Sequence, residues 1–142
     1  MSWFSKKKDV FTDPKEMTPL ESVTHLCAVI QLADGEADYE ERKAWLNALS
    51  ELFPEFSEER ADKFLFEAQK QLSLITTDET RIYLIKILHR IKTVLENEKI
   101  IKLGPKLSQL IEADGIVMTA ETEIAKLIEE KLGISISLNE KL

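Results

Sequence analysis

The stretch "TPLESVTHLCAVIQLADGEADYEE", residues 18–41, decides the fold. Thr18, Pro19 and Glu21 carry the chemistry of a helix start. The threonine hydroxyl accepts from the third backbone N–H, proline fits the first helical position, and the glutamate reaches back to close a capping box. Leu20, Val23, Cys27 and Ile30 then recur at steps of three and four, an apolar stripe along one helix face. The stripe runs into Asp34-Gly35, where glycine supplies the left-handed residue on which helices commonly end. Asp38 and Glu41 make another capping box, so a second helix follows and turns Trp45, Ala48, Leu49 and Leu52 inward. One residue resists this account. Asp34 stands in the last turn, at the negative end of the helix macrodipole, where a carboxylate costs about 0.3–1 kcal/mol unless something offsets it.

Outward from this stretch the chain continues in the same manner. "FPEF" at 53–56 breaks the second helix, and Ser57 caps a third with Phe64, Leu65 and Ala68 inward. "TTDE" at 76–79 caps a fourth that runs to Leu95. Its apolar residues, from Ile82 through Ile87 and Ile91 to Leu95, spread beyond a single stripe, which predicts residues 82–95 as the central helix. Gly104-Pro105 then either starts a new short helix or kinks a longer one. A last helix spans Thr119 to Leu132 and stops at Gly133, and "GISIS" at 133–137 is too short to pair with itself as a strand. The reading is an all-α, compact, single-domain bundle of about six to seven helices. Residues 1–17 are expected to form a flexible N-terminal segment and residues 18–142 the domain.

The chain of 142 residues is long enough to bury a core without disulfides. Cys27 is the one cysteine and lies in an apolar run, the setting of a packed core thiol. One cysteine with His25 and His89 supplies no zinc ligand spacing, and both histidines read as packed. No apolar run approaches the roughly 20 residues of a membrane span. "MSWFSKKKD" has aromatic and basic residues but no apolar core of a secretory signal. Trp3, Phe4, Lys6, Lys7 and Lys8 could give weak, salt-sensitive contact with an anionic membrane surface. The location expected is cytoplasmic, peripheral to the inner membrane if that contact operates. A formal charge of −7 argues against nucleic acid.

The two halves of the chain echo each other. Aligning Asp34 with Asp114 places Val23, Cys27 and Ile30 over Leu103, Leu107 and Leu110, and Glu41 over Glu121. A helix–loop–helix unit ending in Ala-Asp-Gly is therefore used twice around a central helix. Two readings of the loop aspartates stay open. Each can accept backbone N–H bonds across its own turn, or the two can help bind a hard divalent cation through oxygen ligands. The loop is not an EF-hand, because glycine follows the first aspartate directly.

"LCAVIQLADGEADYEER" and "LSQLIEADGIVMTAETEIAKLIEEKLGI" together resemble the TerB-like family, which includes tellurite-resistance proteins and the N-terminal domain of DjlA-type co-chaperones. The resemblance covers roughly residues 18–134. It implies a compact helical bundle without known catalysis, acidic loops suspected of binding metal, and a role in stress responses, often near membranes. By position the implied metal ligands are Asp34, Asp38 and Glu41 in the first unit and Asp114 and Glu121 in the second. Calcium, magnesium or manganese would be the cation. Met118 departs from the pattern where the first unit has Asp38, which makes the second loop the poorer ligand set.

Acids outnumber bases from Glu36 to Glu67, and bases outnumber acids from Ala68 to Lys106. Such segregation would give surfaces of opposite sign suited to orienting a protein partner, or merely two solvated faces. Catalysis is not expected. The chain has no Gly-rich phosphate loop, no His-Glu-x-x-His and no nucleophile motif, and "ESVTH" and "KILHR" lack the Glu-x-x-His of di-metal bundles. The expected function is a stress-response module with a divalent cation. The alternative is a metal-free protein-interaction or co-chaperone-like adaptor.

Overall fold

The computed structural model describes residues 13–34, 39–111 and 119–136. Among the described residues six α-helices follow a 3-10 turn at Pro14–Glu16: α1 (Pro19–Asp34), α2 (Tyr39–Leu52), α3 (Glu58–Leu72), α4 (Thr77–Val94), α5 (Asn97–Ile111) and α6 (Thr119–Leu132). No strand is present among the described residues, and residues 134–136 are irregular. The all-α expectation holds.

The helix starts follow their capping chemistry. Thr18 Oγ1 accepts from the Glu21 N–H at 3.1 Å, and Glu21 Oε1 accepts from the Thr18 N–H at 3.4 Å. The same reciprocal box closes α4, with Thr76 and Glu79 bonded at 3.1 and 3.0 Å. Ser57 caps α3 by accepting from the Arg60 N–H at 3.1 Å. α6 ends on Gly133 at φ +70°, the left-handed conformation that glycine adopts without a Cβ clash.

The central helix is α1, not residues 82–95. Every side chain from Leu20 to Gln31 is buried, and α1 packs against all five other helices. Four polar residues of α1 sit in the interior, each with at least one partner, local for two of them and on another helix for the other two. Ser22 Oγ donates to the Pro19 carbonyl at 2.9 Å and Thr24 Oγ1 to the Leu20 carbonyl at 2.7 Å. His25 meets the Tyr83 hydroxyl, and Gln31 accepts from Gln69. The two hydroxyls are thereby satisfied and enter the core at little cost, while His25 Nε2 and Gln31 Nε2 stay buried without a partner among the described residues. By contrast α4 is an ordinary amphipathic helix. It buries Tyr83, Leu84, Ile87, Leu88 and Ile91 and leaves Ile82 55% exposed.

The pseudo-repeat is visible in the elements themselves. α2 and α6 begin and end at positions 80 residues apart, Tyr39 against Thr119 and Leu52 against Leu132. Trp45 and Ala125, also 80 apart, are both buried, as are Leu52 and Leu132. The units interlock rather than stand side by side: α5 packs chiefly on α2, and α6 packs on α1 and α4.

Two further details correct or complete the sequence reading. Met17, assigned to a flexible segment, is fully buried, and its carbonyl accepts from Arg90 Nε at 2.8 Å. The packed unit thus includes residues 13–17. Pro105 lies inside one continuous helix, α5. The backbone bond it forgoes is the one to Ile101, a residue 59% exposed, so the loss falls on the outer face of the helix.

Candidate functional site

The acids singled out by the sequence sit at helix ends. Asp34 is the last residue of α1, Glu41 lies in the first turn of α2, and Glu121 lies in the first turn of α6. Asp38 and Asp114, and the side chains of Asp34, Glu41 and Glu121, lie outside the described residues. So do Trp3, Phe4, Lys6, Lys7 and Lys8. Among the described residues no group of three or more His, Cys, Asp or Glu side chains could hold a metal ion, and no helix is long and apolar enough to cross a membrane.

What the described structure does contain is an open groove of about 650 Å³ between α1, α4 and α6. Its floor is apolar: Val29 and Leu32 from α1, Leu84 from α4, Ile124 and Leu127 from α6. Its rim carries Asp78, Arg81, Glu123, Lys126 and Glu130. Leu32 is 50% exposed, a large apolar side chain facing solvent two residues before Asp34. At about 1.5 Å of rise per helical residue, Leu32 lies some 3 Å from the end of α1. By the same rise, Glu123 lies some 6 Å from the start of α6. The last residue of α1 and the first of α6 therefore lie within about one helical turn of the groove.

This groove is not legible in the sequence. Leu32 carries the one signal of it, since it stands off the stripe formed by Leu20, Val23, Cys27 and Ile30. The groove needs three helices to exist, and which three meet is not written in any local pattern.

A buried polar pair joins two of the helices that form the groove, α1 and α4. His25 of α1 is wholly buried, with Nδ1 2.5 Å from the hydroxyl of Tyr83 on α4. The other ring nitrogen, Nε2, is buried without a hydrogen-bond partner among the described residues. Burial lowers the His25 pKa to about 4, so the ring is neutral at physiological pH. Tyr83 is pushed upward by burial first, then by the negative charge of Glu21, with a hydrogen bond from Gln71 working the other way. Burial also raises Glu21, against the Thr18 hydrogen bond and with help from Glu67. The reading of His25 as packed holds; His89, also read as packed, is exposed. Cys27 is buried, its thiol pushed up to about 12 by burial.

The charge segregation takes a specific form. Acid-bearing α2 packs on base-rich α5, and Lys106 pairs with Glu51 across that seam. Lys99 lies over the Phe53 ring at 5.4 Å from its centroid. Part of the complementarity read from the sequence is thus satisfied inside the molecule.

A scan against models of known protein families, a search of characterised proteins and a search of solved structures each returned no match.

Proposed function

We propose that this chain is a non-enzymatic, TerB-like stress-response domain that binds a divalent cation through the acids of its two Asp-Gly segments. The observation that carries the reading is the repeated helix ending. Two apolar stretches of sequence lead to an Ala-Asp-Gly, at 33–35 and 113–115, and the helices that follow, α2 and α6, have matched boundaries. An aspartate at the negative end of α1 is unfavourable by itself, and a bound cation would reverse the sign of that interaction. Asp34, Asp38 and Glu41 form the fuller ligand set, with Asp114 and Glu121 the poorer one. Calorimetric titration of metal-free protein with calcium, magnesium, manganese and zinc tests this. Saturable binding of an oxygen-preferring cation supports it, and no binding of any of the four sinks it.

The second reading is a metal-free adaptor that takes a protein partner. The groove between α1, α4 and α6 favours it, with an apolar floor inside a charged rim, the anatomy of a small interface. Pulldown from native cells with the wild type and a Leu32→Glu variant separates the two readings. A partner lost with Leu32→Glu and indifferent to chelator supports the adaptor. Cytoplasmic residence with contact at the inner membrane through Trp3, Phe4 and Lys6 to Lys8 belongs to either reading. Retention on anionic liposomes unchanged after deletion of residues 1–9 would exclude that contact.

A further inference from the structure

We propose that the His25–Tyr83 pair is an acid-released latch: a proton added to the buried ring unseats α4 from α1 and loosens the floor of the groove at Val29 and Leu84. The geometry supplies the reason. His25 bridges the α1–α4 seam through Nδ1, and Nε2 is buried with no acceptor among the described residues. Where Nδ1 donates to Tyr83, the added proton sits on Nε2 and meets no acceptor; where Nδ1 accepts, it sits on Nδ1 and faces the hydroxyl proton of Tyr83, which must turn away. Either way the proton brings a full charge into a site with 0% exposure.

The groups around the pair do not rescue that charge. Glu21, one turn earlier on α1, already accepts from the Thr18 N–H. Glu67 and Gln71 stand on α3, where Glu67 acts on Glu21 and Gln71 bonds Tyr83. No charged side chain of α2, α5 or α6 among the described residues shifts His25, whose displacement comes from burial alone. The groove is next to the pair in both helices. Val29 is one turn after His25, on the same face of α1, and Leu84 follows Tyr83 directly.

The sign follows from linkage. The ring has its ordinary pKa of 6.5 when the seam is open and about 4 when it is closed. Closure is therefore fully favoured above 6.5 and is lost progressively as pH falls toward 4. Glu21, raised by burial, pulls the other way, because the closed state binds its proton first. From His25 alone the ratio of open to closed seam rises roughly 20-fold between pH 7 and pH 5.

The test is hydrogen exchange of the full chain between pH 7 and 4.5, corrected for intrinsic rates and read at the amides of Val29 and Leu84. Exchange accelerating on this scale in the wild type, and little changed by acid in His25→Gln, supports the latch. Equal acceleration in His25→Gln overturns it. Should His25→Gln fail to fold, the ring of His25 in the wild type, told apart from His89 by a His89→Gln variant, is titrated by NMR. A native ring that stays neutral until near pH 4, with exchange rising above that point, supports the proposal. A ring that protonates near 6.5 with no rise in exchange overturns it.

Discussion

The carbonyl oxygen of Ser135 sits where a Cβ on Gly104 would come to 3.0 Å of it. Gly104 is inside α5, where glycine normally costs about 0.5–1 kcal/mol relative to alanine. Here the missing side chain lets the segment after α6 lie directly on α5. That segment is held from both sides: Ile136 is buried, and its N–H donates to Glu129 Oε2 at 3.0 Å. Gly104→Ala should accordingly lower stability by about 1 kcal/mol despite the better helix propensity, through overpacking against backbone. Urea denaturation measures it. A gain in stability would mean the segment gives way and contributes little to the fold.

The two closed capping boxes allow a matched comparison. Thr18 starts the central helix and Thr76 starts an amphipathic one, yet the local bonds are the same. Each threonine changed to alanine should cost about 1 kcal/mol, roughly 2–4 °C in melting temperature for a chain of this size. Thermal unfolding by circular dichroism reads both. Two unchanged melting temperatures would remove the caps from the account of helix placement.

Cys27 reports on opening of the core. Its thiol is fully buried and pushed up to about 12, so at pH 8 no thiolate meets reagent until the core opens. Disulfide-exchange labelling should be slow in the native protein and fast in urea. The sign of the alkaline effect follows from the same shift. A group raised above its unfolded value of 9.0 stabilises below that pH and loses the contribution as pH rises. Tyr83, also raised, adds to it. Stability should fall from about pH 9 upward. Native labelling as fast as in urea would place Cys27 outside the core.

Asp34 separates the two readings of the Asp-Gly loops. As a turn acceptor, Asp34→Asn keeps an oxygen and removes the charge opposing the α1 dipole, so stability holds or rises by no more than about 1 kcal/mol. As a cation ligand, Asp34→Asn leaves the metal-free fold intact and abolishes the metal-dependent rise in melting temperature. Asp114→Asn should weaken that rise less, since Met118 impoverishes the second loop. Melting curves with chelator and with calcium, magnesium or manganese decide it. A wild type indifferent to metal leaves Asp34 as a loop acceptor.

The sequence by itself determined every helix but α5, the starts at Thr18, Ser57 and Thr76, the stop at Gly133 and the use of one unit twice. All of these depend on contacts within three or four residues, which local spacing records. It could not determine which helix lies at the centre. The wide apolar spread of residues 82–95 suggested α4, whereas the single stripe of Leu20, Val23, Cys27 and Ile30 pointed to one buried face for α1. Only tertiary structure supplies Tyr83 to His25 and Gln69 to Gln31, and burial of a polar side chain is decided by its partner rather than by its own hydropathy. Pro105 was ambiguous for a similar reason, because its cost depends on whether the Ile101 carbonyl faces solvent. The groove was invisible to the sequence because Val29, Leu84 and Leu127 come from three separate helices. Their meeting is a property of how amphipathic faces share one core, a choice made by the whole chain at once.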